Sequence, residues 1–212
     1  LSRSELNLSD SDACRQAVFK VKPNWVINAG AFTAVDKAET EKDLAYAVNE
    51  GAPKAFASAL SDIGGRLLQI STDFVFSGNQ GFPYNVNHPV DPISVYGTSK
   101  AAGEIAALTC PGSCVLRTSW LYSHLGKNFC LTMLRMHASK ASLGEVLNVV
   151  ADQVGCPTST YNLSSACWRI ISREKFLNKN NIFHWSDAGV ASWYDFALAI
   201  GELGVANGLL EE

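Results

Sequence analysis

Tyr96 and Lys100 lie four residues apart in the segment Tyr96-Gly97-Thr98-Ser99-Lys100. In a helix, that spacing places both side chains on one face, one turn apart. An ammonium beside a phenol favours the phenolate and lowers the phenol's pKa. A phenol tuned in this way can give or take a proton at a carbonyl or alcohol oxygen. Upstream, Ser71-Thr72-Asp73 follows the apolar run Leu67-Leu68-Gln69-Ile70. This is the C-terminal end of a predicted parallel strand, where open α/β sheets place their ligands. A Tyr-x-x-x-Lys pair also arises by chance, and a structural tyrosine at a helix start is the competing reading.

The elements that must position these residues follow from the hydrophobic pattern. Leu6-Asn7-Leu8 reads as a short strand. Ser9–Asp12 offers several N-caps for a helix that carries Ala13, Ala17 and Val18 and ends at Pro23. Trp25–Asn28 is a compact apolar run suited to a strand buried on both faces. In the passage Asn28–Val35, the small residues Ala29, Gly30 and Ala31 let the backbone approach either a ligand or a crossing helix. Glu39–Ile63 reads as a long helix, kinked or divided at Gly51-Ala52-Pro53 and closed by Gly64-Gly65. Arg66–Ile70 is the next strand.

Ser77–Ile93 is rich in Gly, Asn and Pro and reads as a loop over the site. Ser94 caps the helix that carries Tyr96 and Lys100, Pro111-Gly112 ends it, and Cys114–Arg117 is the strand that follows. Successive βα units predict an α/β fold with a Rossmann-like, doubly wound parallel sheet. From Gly126 the elements shorten. They comprise an amphipathic helix through Phe129, Met133, Leu134 and Met136, strands at Glu145–Val149 and Val154–Pro157, a helix at Tyr161–Ser172, a strand at Ile182–His184 and a helix at Trp193–Leu203. The expected division is a partial dinucleotide-binding domain over residues 1–125 and a second lobe over 126–212, with interleaved boundaries.

Composition narrows the function classes. The 212 residues are 47% hydrophobic and 17% charged, which fits a folded protein with one sizeable core. A net charge of −3 gives no reason to expect nucleic acid or an anionic membrane as a partner. No apolar run reaches the ~18 residues of a transmembrane helix. The six cysteines form no Cys-x-x-Cys and pair with none of the four histidines at zinc-like spacing, so no metal site is expected. Free thiols in a reducing cytoplasm are the expectation. The dense charges Asp36, Lys37, Glu39, Glu41 and Lys42 read as a solvated helix face.

Four segments, in order, carry a family resemblance. They are Asn28-Ala29-Gly30-Ala31-Phe32-Thr33-Ala34-Val35-Asp36-Lys37-Ala38-Glu39, Ser71-Thr72-Asp73-Phe74-Val75-Phe76-Ser77-Gly78, Tyr96-Gly97-Thr98-Ser99-Lys100, and Arg117-Thr118-Ser119-Trp120. Together they resemble the extended short-chain dehydrogenase/reductase superfamily and, within it, the dTDP-4-dehydrorhamnose reductases. The resemblance implies NADPH or NADH as hydride donor and a 4-keto nucleotide sugar as acceptor. It implies that Tyr96 protonates the C4 oxygen, that Lys100 lowers the Tyr96 pKa and holds the nicotinamide ribose, and that Thr72 hydrogen-bonds the reacting oxygen. Ala31, Phe32 and Thr33 match cofactor-lining positions, although Gly30 stands where Ala is more common. Asp73 and Trp120 match sugar contacts, with a loop carboxylate and a buried core tryptophan as the competing readings. The shorter C-terminal elements resemble the family's small substrate-binding lobe, and a homodimer is a further implication.

Two other functions are compatible with these motifs. One is a nucleotide-sugar epimerase or dehydratase of the same superfamily, against which the Ser71–Gly78 segment followed by Arg117–Trp120 speaks. The other is a non-catalytic regulatory homologue, against which the intact set Tyr96, Lys100 and Thr72 speaks. The superfamily's Gly-rich turn, which cradles a pyrophosphate at a helix N-terminus, does not occur in these residues. With Leu1 rather than Met at the start, the sequence reads as a truncated product or as a numbering that omits the start. The expectation is that these 212 residues alone bind NADPH poorly, are marginally stable and are inactive, and that the longer protein is active.

Overall fold

A computed structural model describes residues 1–173 and 181–211. Two compact units emerge, one of residues 1–118 with 167–184 and the other of residues 119–166 with 185 onward. The chain therefore leaves the first unit after Thr118 and returns to it at Cys167, within α7 (Thr160–Ser172), before adding one more strand.

The first unit is a Rossmann-like α/β layer structure. Its sheet has the order β1 (Trp25–Asn28), β2 (Arg66–Thr72), β3 (Cys114–Thr118), β7 (Ile182–His184), with every pairing parallel. All five residues of β3 are buried, as a central strand covered on both faces requires. The main core lies between α1 (Ser11–Val21), α4 (Ala52–Ile63) and the sheet, around Cys14, Val18, Phe56, Leu60 and Leu67. Ala52, Ala55 and Ala59 are buried on α4 and keep that packing close.

The expected single helix over Glu39–Ile63 begins earlier and is subdivided. It comprises α2 (Val35–Thr40), α3 (Lys42–Tyr46), a π-helical turn at Ala47–Gly51 and then α4. Pro53 sits in the first turn of α4, where a missing N–H leaves no intrahelical bond unmade. The expected strand at Leu6–Leu8 is not formed. The Asn7 carboxamide instead accepts from the Ser9 backbone N–H (3.1 Å) and hydroxyl (2.9 Å), which turns the chain. Leu6 and Leu8 still pack on the core.

Helix α5 (Val95–Leu108) lies close against the π-helical turn. Gly103 permits the approach, because a Cβ there would stand 2.0 Å from the Asn49 carbonyl oxygen. Real Cβ atoms do not come so near to backbone oxygens, so a larger residue at 103 would push α5 away.

The second unit packs α6 (Phe129–Ser142) on α8 (Trp193–Ala206) around Met133, Ala197 and Ile200. Two short ladders complete it, β4 (Leu121–Tyr122) with β6 (Thr158–Ser159) and β5 (Val154–Gly155) with β8 (Ala191–Ser192). The expected strand at Glu145–Val149 is irregular. The Glu145 N–H returns to the Lys140 carbonyl (2.9 Å), its carboxylate meets the Lys140 ammonium, and Leu147 and Val149 pack on the helix pair. The Ile182–His184 strand, expected in the second lobe, belongs to the parallel sheet of the first unit. Among the described residues, no helix is long and apolar enough to cross a membrane.

Replacing Gly103 with Ala should cost about 1–3 kcal/mol by overpacking, read as a lower urea midpoint at unchanged slope. Gly81→Ala, where an added Cβ meets nothing within 4 Å, should stay within about 0.5 kcal/mol of the parent. Equal stability of the two variants would contradict the packing described.

Candidate functional site

Strand β2 ends in Ser71-Thr72 and passes straight into a 3-10 turn at Asp73–Val75. The Thr72 hydroxyl accepts from the Phe74 N–H (3.2 Å) and donates to the Asp73 carboxylate (3.0 Å). The next helix, α5, begins directly above this turn, and its N-terminus is tightly held. Ser94 accepts from the Gly97 N–H (3.1 Å), and Glu39 of α2 accepts from the Val95 N–H (2.8 Å). Gly97 has a steric reason for its place beside Tyr96, since a Cβ there would lie 2.3 Å from the Phe74 carbonyl oxygen. The Phe74 ring meets the Tyr96 ring edge-on with centroids 5.5 Å apart. Thr72 and Tyr96 are thereby brought together, close enough for the threonine hydroxyl to favour the ionised phenol.

Lys100 stands one helical turn further along α5 and is 4% exposed. Its ammonium donates to the Ile70 carbonyl at 2.7 Å, two residues before Thr72 on the same strand. Burial lowers its pKa to about 8, and the neighbouring Glu104 carboxylate partly opposes that shift. The phenol departs from the expectation of a pKa lowered by the lysine. Burial raises the Tyr96 pKa, the nearby Asp73 adds to the rise, and Thr72 works against it. Desolvation prevails because the ring is only 8% exposed, while the Lys100 ammonium is turned to the Ile70 carbonyl. Burial also raises the pKa of Asp73, more than its bonds with Thr72 and the backbone lower it.

The passage Asn28–Thr33 leaves β1 on the same side of the sheet. Both backbone polar groups of Phe32 are held by one buried side chain: the Asn49 carboxamide accepts from the Phe32 N–H (2.8 Å) and donates to its carbonyl (3.1 Å). The Asn49 amide also donates to the Ser99 hydroxyl (3.0 Å), which in turn donates to the Tyr96 carbonyl (2.8 Å). One asparagine in the π-helical turn thus ties the loop to the helix that carries Tyr96 and Lys100. Sequence reading missed it, and the only sign available was a polar residue inside an otherwise Ala- and Val-rich stretch. A cavity of about 790 Å3 opens beside this loop, lined in part by Leu8, Val26, Asn28, Ala31 and Thr33. The exposed Ala29 and Gly30 backbone and the reserved Phe32 groups fit a nucleotide cofactor laid along the loop. Among the described residues, no cluster of His, Cys, Asp or Glu could hold a metal ion, and all six cysteines are free.

Trp120 belongs to the second unit. It is half-buried, stacks on Trp193 with centroids 3.4 Å apart and planes within 3°, and lies against Gly155. Its backbone is left-handed, with φ at 48°. The Trp120 carbonyl accepts from the Thr158 N–H at 3.1 Å, which holds a conformation that normally costs a non-glycine residue about 1–3 kcal/mol.

Comparison with known proteins identifies the family. Residues 1–208 match the family model described as the RmlD substrate binding domain. The spore coat polysaccharide biosynthesis protein SpsK of Bacillus subtilis is 39% identical over 203 residues, covering 95% of this chain and 69% of its own length. The dTDP-4-dehydrorhamnose reductase of Aggregatibacter actinomycetemcomitans is 39% identical over 216 residues, covering 100% of this chain and 71% of its own. Among solved structures, the dTDP-4-dehydrorhamnose reductase of Bacillus anthracis, in complex with NADP, superposes with a TM-score of 0.88 at 33% identity, covering 100% of this chain and 71% of that one. With this family match and these relatives over nearly its whole length, the chain belongs to the dTDP-4-dehydrorhamnose reductase family.

Proposed function

We propose that the protein reduces the 4-keto group of dTDP-4-dehydrorhamnose to give dTDP-rhamnose, with NADPH or NADH as reductant. The observation that supports this reading is Tyr96 packed on the turn that follows Thr72 at the C-terminal end of β2, with Lys100 one helical turn along and buried against the Ile70 carbonyl of the same strand.

The nicotinamide cofactor, when bound, supplies the hydride. The residues that would hold it are Ala31, Phe32 and Thr33 on the Asn49-braced loop, with Tyr96 and Lys100 at the reacting end. The protein's own task is to meet the negative charge that grows on the C4 oxygen. The Tyr96 hydroxyl gives that oxygen its proton. Its raised pKa keeps the phenol protonated at neutral pH, so the acid is loaded before reaction. The Thr72 hydroxyl supplies a second hydrogen bond by turning from the Asp73 carboxylate to which it now donates. The Lys100 ammonium contributes a full positive charge in a poorly solvated place, where it acts more strongly than in water. Asp73 and Trp120 are the proposed sugar contacts. The left-handed backbone of Trp120 supports that reading over an ordinary core tryptophan, because such strain gathers at ligand sites. The six free thiols support a cytoplasmic setting, and the family resemblance supports a homodimer.

Turnover is measured as loss of reduced-nicotinamide absorbance with dTDP-4-dehydrorhamnose. Tyr96→Phe should lower kcat by about 10²–10⁴-fold with little change in KM. A variant that turns over like the parent would contradict the assigned proton donor. The rate should also fall as pH rises through about 8. The sign follows from the ammonium: deprotonation above that pH removes the positive charge that faces the oxyanion. A kcat that stays flat to pH 10 would contradict the role given to Lys100.

A further inference from the structure

The helix that carries Tyr96 and Lys100 has one more buried charge, one turn beyond the lysine. Glu104 is 4% exposed and is bound on two sides. Arg117 of β3 grips it with both arms of the guanidinium, Nε to Oε1 at 2.8 Å and Nη2 to Oε2 at 2.6 Å. The Ser71 hydroxyl of β2 donates to Oε1 at 2.5 Å. Ser71 and Arg117 are register partners across the β2–β3 ladder, and the next pair in register is Thr72 with Thr118. The carboxylate therefore bridges the two central strands at the rung immediately before Thr72. Arg117 extends the network by donating to the Val86 carbonyl of the 77–93 loop at 3.3 Å and by lying over the Phe76 ring at 5.0 Å.

Stability alone does not account for this arrangement. A buried ion pair loses about as much to desolvation as it gains from attraction, and apolar residues of similar volume commonly do as well. Apolar residues cannot, however, place a negative charge one helical turn from a buried ammonium. We propose that Glu104 is a positioning residue for ketone reduction: clamped by Ser71 and Arg117, it fixes α5 to the ends of β2 and β3 and keeps Lys100 charged. This inference rests on the reductase reading above.

The surroundings of Lys100 single out Glu104. Its own helix supplies Tyr96 and Glu104, the turn after β2 supplies Asp73, and β3 supplies Arg117, which is already committed to Glu104. The charged residues Asp36, Lys37, Lys42, Asp43, Lys54 and Asp62 of α2, α3 and α4 are solvent-exposed, Tyr46 of α3 is half-buried, and Arg66 stands at the start of β2, four residues before Ile70. Glu39 caps Val95, and Glu50 of the π-helical turn is half-buried. Glu104 is the carboxylate whose charge acts on Lys100 and opposes the effect of burial.

The test is Glu104→Gln, which keeps the shape and removes the charge. Two quantities are read in the variant and the parent: the pH profile of kcat and KM, and the titration of Lys100 followed by NMR of its ε-methylene. In the variant, both the alkaline limb and the lysine titration should move to lower pH by roughly one unit, because the uncompensated ammonium gives up its proton more readily. Well above pH 8, kcat should fall about tenfold, and at pH 7 only about twofold, while KM changes less than twofold. A limb and a titration that stay at the parent's pH would overturn the proposal, since a purely structural loss moves neither. If the parent shows no turnover even when joined to the superfamily's Gly-rich segment, the reductase reading fails, and the NMR titration still decides whether Glu104 sets the lysine's charge. If the glutamine variant does not fold, Glu104→Asp decides. Its charge holds the lysine titration in place, while its shorter reach should still lower kcat. A parent-like kcat or a displaced titration in the aspartate variant would overturn the proposal.

Discussion

A buried ammonium is the constraint around which the first unit is built. Lys100 sits almost wholly out of water with one backbone carbonyl as its direct partner. Burying such a group is costly unless it is hydrogen-bonded and compensated by charge. The fold meets both needs locally. The Ile70 carbonyl lies within reach because α5 packs directly on β2, and the seat of α5 depends on Gly97 and Gly103, where a side chain would strike the backbone of the turn after β2 and of the π-helical turn. Compensation comes from Glu104 one turn away. Everything that places the lysine also places Tyr96, because the two share a helix face.

The same construction explains the state of the phenol. Sequence spacing alone suggests that a nearby cation makes tyrosine more acidic. In the folded chain, the ring is buried against Ala38, Ala45 and Phe74, and the lysine ammonium donates to a backbone carbonyl. The result is a phenol that holds its proton and has an adjacent hydroxyl, Thr72, ready to share the load as charge develops. For a reductase this is a sensible resting state, because the reaction requires a proton donor and not a phenolate.

Much of this was legible in the residues. The strand-end Ser71-Thr72-Asp73, the Ser94 cap and the Tyr96/Lys100 spacing are local patterns, and local patterns survive folding. What escaped notice depends on partners distant in the chain. Asn49 acts through Phe32 and Ser99, 17 and 50 residues away. Arg117 meets Glu104 across 13 residues, and nothing in either neighbourhood announces the other. The strand Ile182–His184 was found but placed in the wrong unit, because a three-residue apolar run does not say which sheet it joins. Leu6–Leu8 failed as a strand for a local reason, the Asn7 side chain turning the backbone back on itself.

The role of Lys100 is decided by whether the charge at position 100 governs the reaction. The most direct measurement is the pH dependence of kcat for Lys100→Arg, since a guanidinium stays charged across the whole working range. Arginine reaches differently, so a lower kcat is expected at every pH. The account predicts that the fall in rate above pH 8 disappears from the variant's profile. A decline that persists at the same pH in the arginine protein would show that another group controls it, and would contradict the central place given to this lysine.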